Sequence, residues 1–263
     1  MTTQRLPRTH MTRFRQSDRI NLLALAVGAV AALYILTGAF VAAVLLPLLA
    51  GLGAEGVLRG HPAARLRESG DAAAQAALPA GFALALALFW RYVATGYWGV
   101  PAALLTTLLF GALVYAQYAA LDTDGAARDT ARVAQLAAAH AGLFATLSVL
   151  YAYDLSAIAA ALLAGATACL FALVPLRQSE LNWSATIVYA LAAGFALAQV
   201  RFALTYARLD GLIAALFLTL AFYGGLGLTT AAIEGRLDRR VWLEYTLVLV
   251  VGVAIVAAGQ AIV

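Results

Sequence analysis

Residues 20–50 read INLLALAVGAVAALYILTGAFVAAVLLPLLA, a run without a single charged side chain. A helix needs about 20 consecutive apolar residues to cross the hydrocarbon core of a bilayer. This run exceeds that length, so it reads as a long first transmembrane helix, tilted or protruding, that ends near Pro47 and Gly51-Leu52-Gly53. Ahead of it, residues 1–19 carry Arg5, Arg8, Arg13, Arg15 and Arg19 against one acid, Asp18, and form a basic tail. The apolar run is too long for the core of a cleaved signal peptide and no small-residue cleavage pattern follows it.

The rest of the chain agrees with this reading. Of its 263 residues, 64 % are hydrophobic and 11 % charged, and the mean hydropathy is +0.88. A soluble domain is about 45–50 % apolar and about 25 % charged, so too few charges are present to cover a water-facing surface. The expected fold is all-α: a polytopic bundle of eight spans at about 20–50, 74–93, 99–120, 133–152, 155–176, 184–206, 211–232 and 241–262. Residues 20–263 then form one transmembrane domain. Asp154 or Ser156 is placed to cap the span that follows, because a short side-chain oxygen satisfies amides at a helix start. Residues 51–73 carry Glu55, Arg59, His61, Arg65, Arg67, Glu68 and Asp71 and read as an interfacial or extramembrane segment with helix-forming composition.

All 17 basic residues are arginine. The missing lysine excludes a retinal Schiff base. Arginines gathered at span ends favour anionic headgroups as partners, and other membrane subunits are further candidates. A basic patch on a soluble scaffold, which nucleic-acid binding requires, is absent from the pattern. The location expected is a prokaryotic plasma membrane with a cytoplasmic N-terminus. With eight spans, the N-terminal side holds Arg91, Arg201 and Arg208 together with the tail, while Arg59, Arg65, Arg67, Arg128, Arg132, Arg177, Arg236, Arg239 and Arg240 lie opposite. Positive charge is then almost evenly divided, and the excess of Lys and Arg that marks cytoplasmic loops barely discriminates.

One hexapeptide recurs. Ala80-Gly-Phe-Ala-Leu-Ala85 returns as Ala193-Gly-Phe-Ala-Leu-Ala198, and an arginine follows each, Arg91 and Arg201. Thr107-Leu-Leu-Phe110 and Thr219-Leu-Ala-Phe222 stand at nearly the same offset. A parallel 4+4 internal repeat would produce this pattern, although Ala- and Leu-rich chains also generate such matches by composition.

No motif for hydrolase, metalloprotease, phosphate-loop or redox chemistry is present. Cys169 stands alone, so multi-cysteine metal sites are excluded. Asp122, Asp124 and Asp129 cluster in a turn beside Arg128 and Arg132, and a solvated turn explains them better than a cation site. No metal, cofactor or catalytic residue is expected. Ionisable or amide groups within spans are the default functional suspects, because desolvation makes them expensive. Arg91 and Arg201 are therefore candidates for holding an anion or lipid headgroup, or else they snorkel to the interface. Gln117, His140, Gln199 and Glu244 are the candidate buried polar groups. The composition fits a non-enzymatic scaffold, accessory factor or complex subunit. A transporter of small solutes or lipids, with an anion site between half-bundles, is the alternative. An intramembrane transferase or a channel finds less support.

Overall fold

The apolar run at 20–50 is broken at Thr37-Gly38-Ala39. Gly38 adopts φ +71°, a left-handed conformation that costs residues with a Cβ about 1–2 kcal/mol and glycine almost nothing. The turn is supported from within: the Gly38 amide donates to Tyr34 O at 2.8 Å, and the Ala39 amide donates to Thr37 Oγ1 at 3.1 Å. Two helices result, α1 (Thr9–Thr37) and α2 (Phe40–Arg59). This corrects the expected single span over 20–50. Gly51 and Gly53, which read as a terminator, lie inside α2. A Cβ on Gly51 would come 3.0 Å from Ala76 O, and one on Gly53 would strike Leu23, so these glycines let neighbouring helices approach. Residues 51–59 accordingly belong to α2, whose last turn carries a Glu55–Arg59 ion pair at 2.5 Å.

This computed structural model describes residues 9–61, 69–94, 98–121, 125–153, 155–179, 181–207 and 209–262. Residues 1–8 of the basic tail, 62–68 of the expected interfacial segment, Asp122, Asp124 and Asp154 lie outside the described residues. The remaining helices are α3 (Ser69–Tyr92), α4 (Gly99–Ala119), α5 (Gly125–Ala152), α6 (Ala157–Gln178), α7 (Trp183–Leu204), α8 (Gly211–Ile233) and α9 (Arg239–Ile262). Among the described residues, eight stretches, in α1 through α8, are long and apolar enough to cross a membrane. The chain is an all-α, polytopic integral membrane protein.

Helix starts follow local chemistry. Ser156 Oγ accepts from the Ala159 amide, Asn182 Oδ1 from Ala185, Asp210 Oδ1 from Leu212, and Asp238 Oδ1 from Val241. Within the spans, the hydroxyls of Thr106, Thr107, Ser148, Thr186 and Thr219 donate to the carbonyl four residues back. Each of these hydroxyls is thereby satisfied within its own helix, whereas a donor left unsatisfied in hydrocarbon would cost several kcal/mol.

Two packed clusters share α3 as their common wall. Leu78, Phe82, Ala85 and Leu86 of α3 join α5, α6, α7 and α8, with Phe171 and Leu218 among the fully buried residues. Ala83 and Ala87, on another face of α3, join α1, α2 and α4 around Val27, Leu46 and Phe110. Large apolar side chains such as Leu22, Phe40, Leu108, Leu162 and Phe195 are exposed on the outside. In water this distribution would be a liability, whereas in a bilayer it is the lipid-facing surface. The AGFALA glycines both serve α6: a Cβ on Gly81 would meet Leu170 and Phe171, and one on Gly194 would lie 2.5 Å from Gly165 O and 3.0 Å from Cys169 Cβ. Gly165, Cys169, Gly194 and Ala198 thus form the small-residue seam on which α6 and α7 approach closely, as small-xxx-small faces do in membranes.

Candidate functional site

Arg91 lies in the last turn of α3 and reaches the end of α1. Its Nη1 donates to Ile35 O at 2.8 Å, and its guanidinium fills the space where a side chain on Gly38 would begin. A cation there satisfies an orphan carbonyl and complements the negative end of the α1 macrodipole. Arg201 occupies the matching place near the end of α7 and reaches the end of α5. Its Cζ lies 4.1 Å from the Tyr151 ring centroid, and its Nη1 donates to Thr205 Oγ1 at 3.0 Å. At 7 % exposure it is buried. Among the described residues no hydrogen bond, ion pair or ring contact joins the two arginines, and α3 and α7, which both pack on α6, do not pair closely. Each arginine instead ties together helix ends near it.

The amide and imidazole candidates separate by face. Gln117 is buried and its Nε2 donates to Gln75 O at 3.1 Å, joining α4 to α3. His140 is half-buried in α5, with Nδ1 2.7 Å from Leu136 O and its ring against Phe222 and Tyr223. Gln199 and Glu244 are exposed, which corrects their expected burial. Gln199 falls away from the α7 stripe of Ala190, Gly194, Leu197 and Arg201 that faces the bundle. Glu244 sits near the start of α9, which packs on α8.

The groups that do converge are others. A cleft of about 390 Å³ opens where α3 and α4 meet α5 and α6, lined by Gln75, Gln117, Arg128, Arg132, Gln135, Arg177 and Gln178 with small apolar residues. Arg128 and Arg132 are four residues apart and so share one face of α5; both are half-buried. The floor is held by a relay: Gln178 Nε2 donates to Gln135 Oε1 at 3.0 Å, and Gln135 Nε2 lies 3.4 Å from Ala116 O. Arg177 donates to Leu181 O just beyond its own helix. Among the described lining residues there is no carboxylate, and these residues present mainly donors and positive charge. Gln117 was legible as a buried amide. Arg128 and Arg132 read as part of a solvated turn, and only their recurrence at four-residue spacing hinted at a common face.

Among the described residues, no three His, Cys, Asp or Glu side chains gather where a metal ion could bind. No curated protein and no solved structure matches the chain. A family model does match, over residues 17–259, from the start of the α1 membrane span almost to the end of α9; the chain belongs to the family described as "Protein of unknown function (DUF5656)".

Proposed function

We propose that the protein is a non-enzymatic scaffold or accessory subunit of a prokaryotic-type plasma membrane, built as a tandem of two four-helix units and held by an arginine-rich cytoplasmic face. The observation that carries this reading is the hairpin at Gly38. Once α1 and α2 count as two crossings, the N-terminal segment and the α2–α3, α4–α5, α6–α7 and α8–α9 connections all fall at one end of the bundle. Of the arginines among the described residues, only Arg91 and Arg201 then fall at the other end. An excess of that size marks the cytoplasmic side and favours contact with anionic headgroups. The N-terminus is cytoplasmic, and α9 adds a further crossing that takes the C-terminus to the opposite face.

The tandem reading draws on packing as well as on the repeated hexapeptide. Within α1–α4, the first helix packs on the second and fourth, the second on the third, and the third on the fourth; α5–α8 repeat these pairings, while the packing of α1 on α3 has no close counterpart between α5 and α7. Arg91 binds the end of α1 as Arg201 binds the end of α5, each from the third helix of its own unit. Several polar groups of the interior bond backbone or one another between helices, as in Arg91 to Ile35 O, Gln117 to Gln75 O and Gln178 to Gln135. Such use is what a structural role requires.

Topology is tested with single cysteines in a Cys169→Ser background. An impermeant maleimide should label Tyr206→Cys on intact cells and Leu237→Cys only after permeabilisation; the reverse pattern overturns the orientation. The scaffold role is tested by complementation with His140→Phe and Glu244→Gln. Restored function should track the amount of folded, inserted protein, and a variant that folds at full level yet loses function refutes a purely structural role.

A further inference from the structure

We propose that the cleft between α3, α4, α5 and α6 is a binding site for a phosphate-class oxyanion carried on a small polar group, held chiefly by Arg128 and Arg132. Neither guanidinium has a hydrogen-bond or ion-pair partner among the described residues, although both are half-buried in the cleft wall. Their position makes this costly. They occupy the first two turns of α5, which begins at Gly125, where the helix macrodipole is positive and favours anions over cations. Arg177, which already donates to Leu181 O, stands in the same lining, so the unpartnered charges are those of Arg128 and Arg132. Like charges gathered in a partly desolvated cleft repel one another unless an anion sits among them. Arginine forks are suited to that anion, since they bind phosphate oxygens through paired, charge-assisted hydrogen bonds.

The floor supplies the second half of the recognition. Gln117 is 2 % exposed, and its Oε1 has no partner. Its Nε2 donates to Gln75 O, which fixes the amide this way round, since a flip would set two oxygens against each other. An unused acceptor therefore lies beneath the arginines. A hydroxyl on the ligand, or the P–OH of a monoanionic phosphate, supplies the missing donor. A volume of about 390 Å³ lies within the range of small-molecule sites and holds more than an isolated phosphate. A phosphoglycerol unit, free or as a lipid headgroup, has the required combination of oxyanion and hydroxyl. Basic pockets between transmembrane helices on the cytoplasmic side are suited to such headgroups.

The test uses the full chain in phosphatidylcholine nanodiscs, with thermal unfolding as the readout. Inorganic phosphate and glycerol 3-phosphate are titrated in one arm; in the other, phosphatidylglycerol is introduced into the discs and its retention is followed by native mass spectrometry. A lipid source predicts stabilisation and retention with phosphatidylglycerol alone, whereas a soluble source predicts saturable stabilisation by the free phosphates. In either case R128Q/R132Q should weaken the response by about tenfold or more, the size expected for lost charge-assisted hydrogen bonds. R239Q/R240Q removes equal charge from exposed positions at the same end and should leave the response intact. An unresponsive wild-type protein, or equal loss in both pairs, overturns the site. Should the glutamine pair fail to fold, R128K/R132K keeps the charge and removes the fork: a weakened response with unchanged stability in plain discs supports the site, and an unchanged response refutes it. Nanodiscs expose both faces, so the outcome does not depend on the orientation proposed above.

Discussion

Gly38→Ala tests the hairpin on which the topology depends. Two costs are expected. Alanine at φ +71° pays about 1–2 kcal/mol for the left-handed backbone. Its Cβ would also lie 2.7 Å from Arg91 Cζ and 2.9 Å from Nε, so the guanidinium must leave and its bond to Ile35 O is lost. Interhelical polar contacts in membranes are worth up to about 1.7 kcal/mol, and bonds to charged groups about 1.5–3, so this second cost is about 1–2 kcal/mol. The total is about 2–4 kcal/mol. Gly235 provides the control, since it has φ +66° but a Cβ there would meet nothing within 4 Å. Gly235→Ala should show the backbone cost alone. Reversible unfolding in mixed detergent–SDS micelles measures each variant. The double variant Gly38→Ala/Arg91→Gln should cost less than its two singles combined, by about 1–2 kcal/mol, because both remove the same contact. Full additivity, or a Gly38→Ala cost no greater than that of Gly235→Ala, would refute the argument that Arg91 closes the turn.

Three other perturbations probe the bundle. Phe171 is 1 % exposed and fits against Gly81 and Gly142 of two neighbouring helices, so Phe171→Ala should cost about 3–5 kcal/mol through the cavity it leaves; a loss under about 1 kcal/mol in the same unfolding assay would show that the site collapses. Gly165→Val would set a Cβ 2.8 Å from Gly194 O, backbone that has no rotamer to yield, so fluorescence-detected size exclusion should show a marked drop in folded monomer while Gly56→Val, with open space around it, elutes as wild type. Asn182→Ala removes the cap that accepts from the Ala185 amide at 2.8 Å, at about 1 kcal/mol; hydrogen exchange should quicken in the first turn of α7, and Asn182→Asp should restore protection.

Much of this fold was legible residue by residue. Hydropathy and polar punctuation placed α3 through α9 to within a few residues at most ends, with the first turns of α3 and α5 longer than expected, and Ser156 capped α6 as its side chain allowed. The missed hairpin had a signal in plain length. A helix rises 1.5 Å per residue against a hydrocarbon core of about 30 Å, so an uncharged run continuing to Ala54, with helix-forming sequence beyond it, has room for two crossings. Reading the run as one helix assigns each later arginine to the side opposite that of the topology proposed above and evens out the charge.

The sequence by itself determined the class of solvent, the helical state and most boundaries from α3 onward, because these depend on local composition and on the need to satisfy backbone groups within each segment. Tertiary structure decided which polar residues meet. The local turn at Gly38-Ala39 is closed by Arg91, far along the chain, which fills the space a side chain would take and bonds the carbonyl of Ile35. Gln199 lies outside and Gln117 inside, a difference set by helix rotation against neighbours that flanking Ala and Leu cannot encode. Arg128 and Arg132 line a cleft with Gln117 and Arg177 only because four helices end together there. Charge is written in the chain, but its convergence comes from packing.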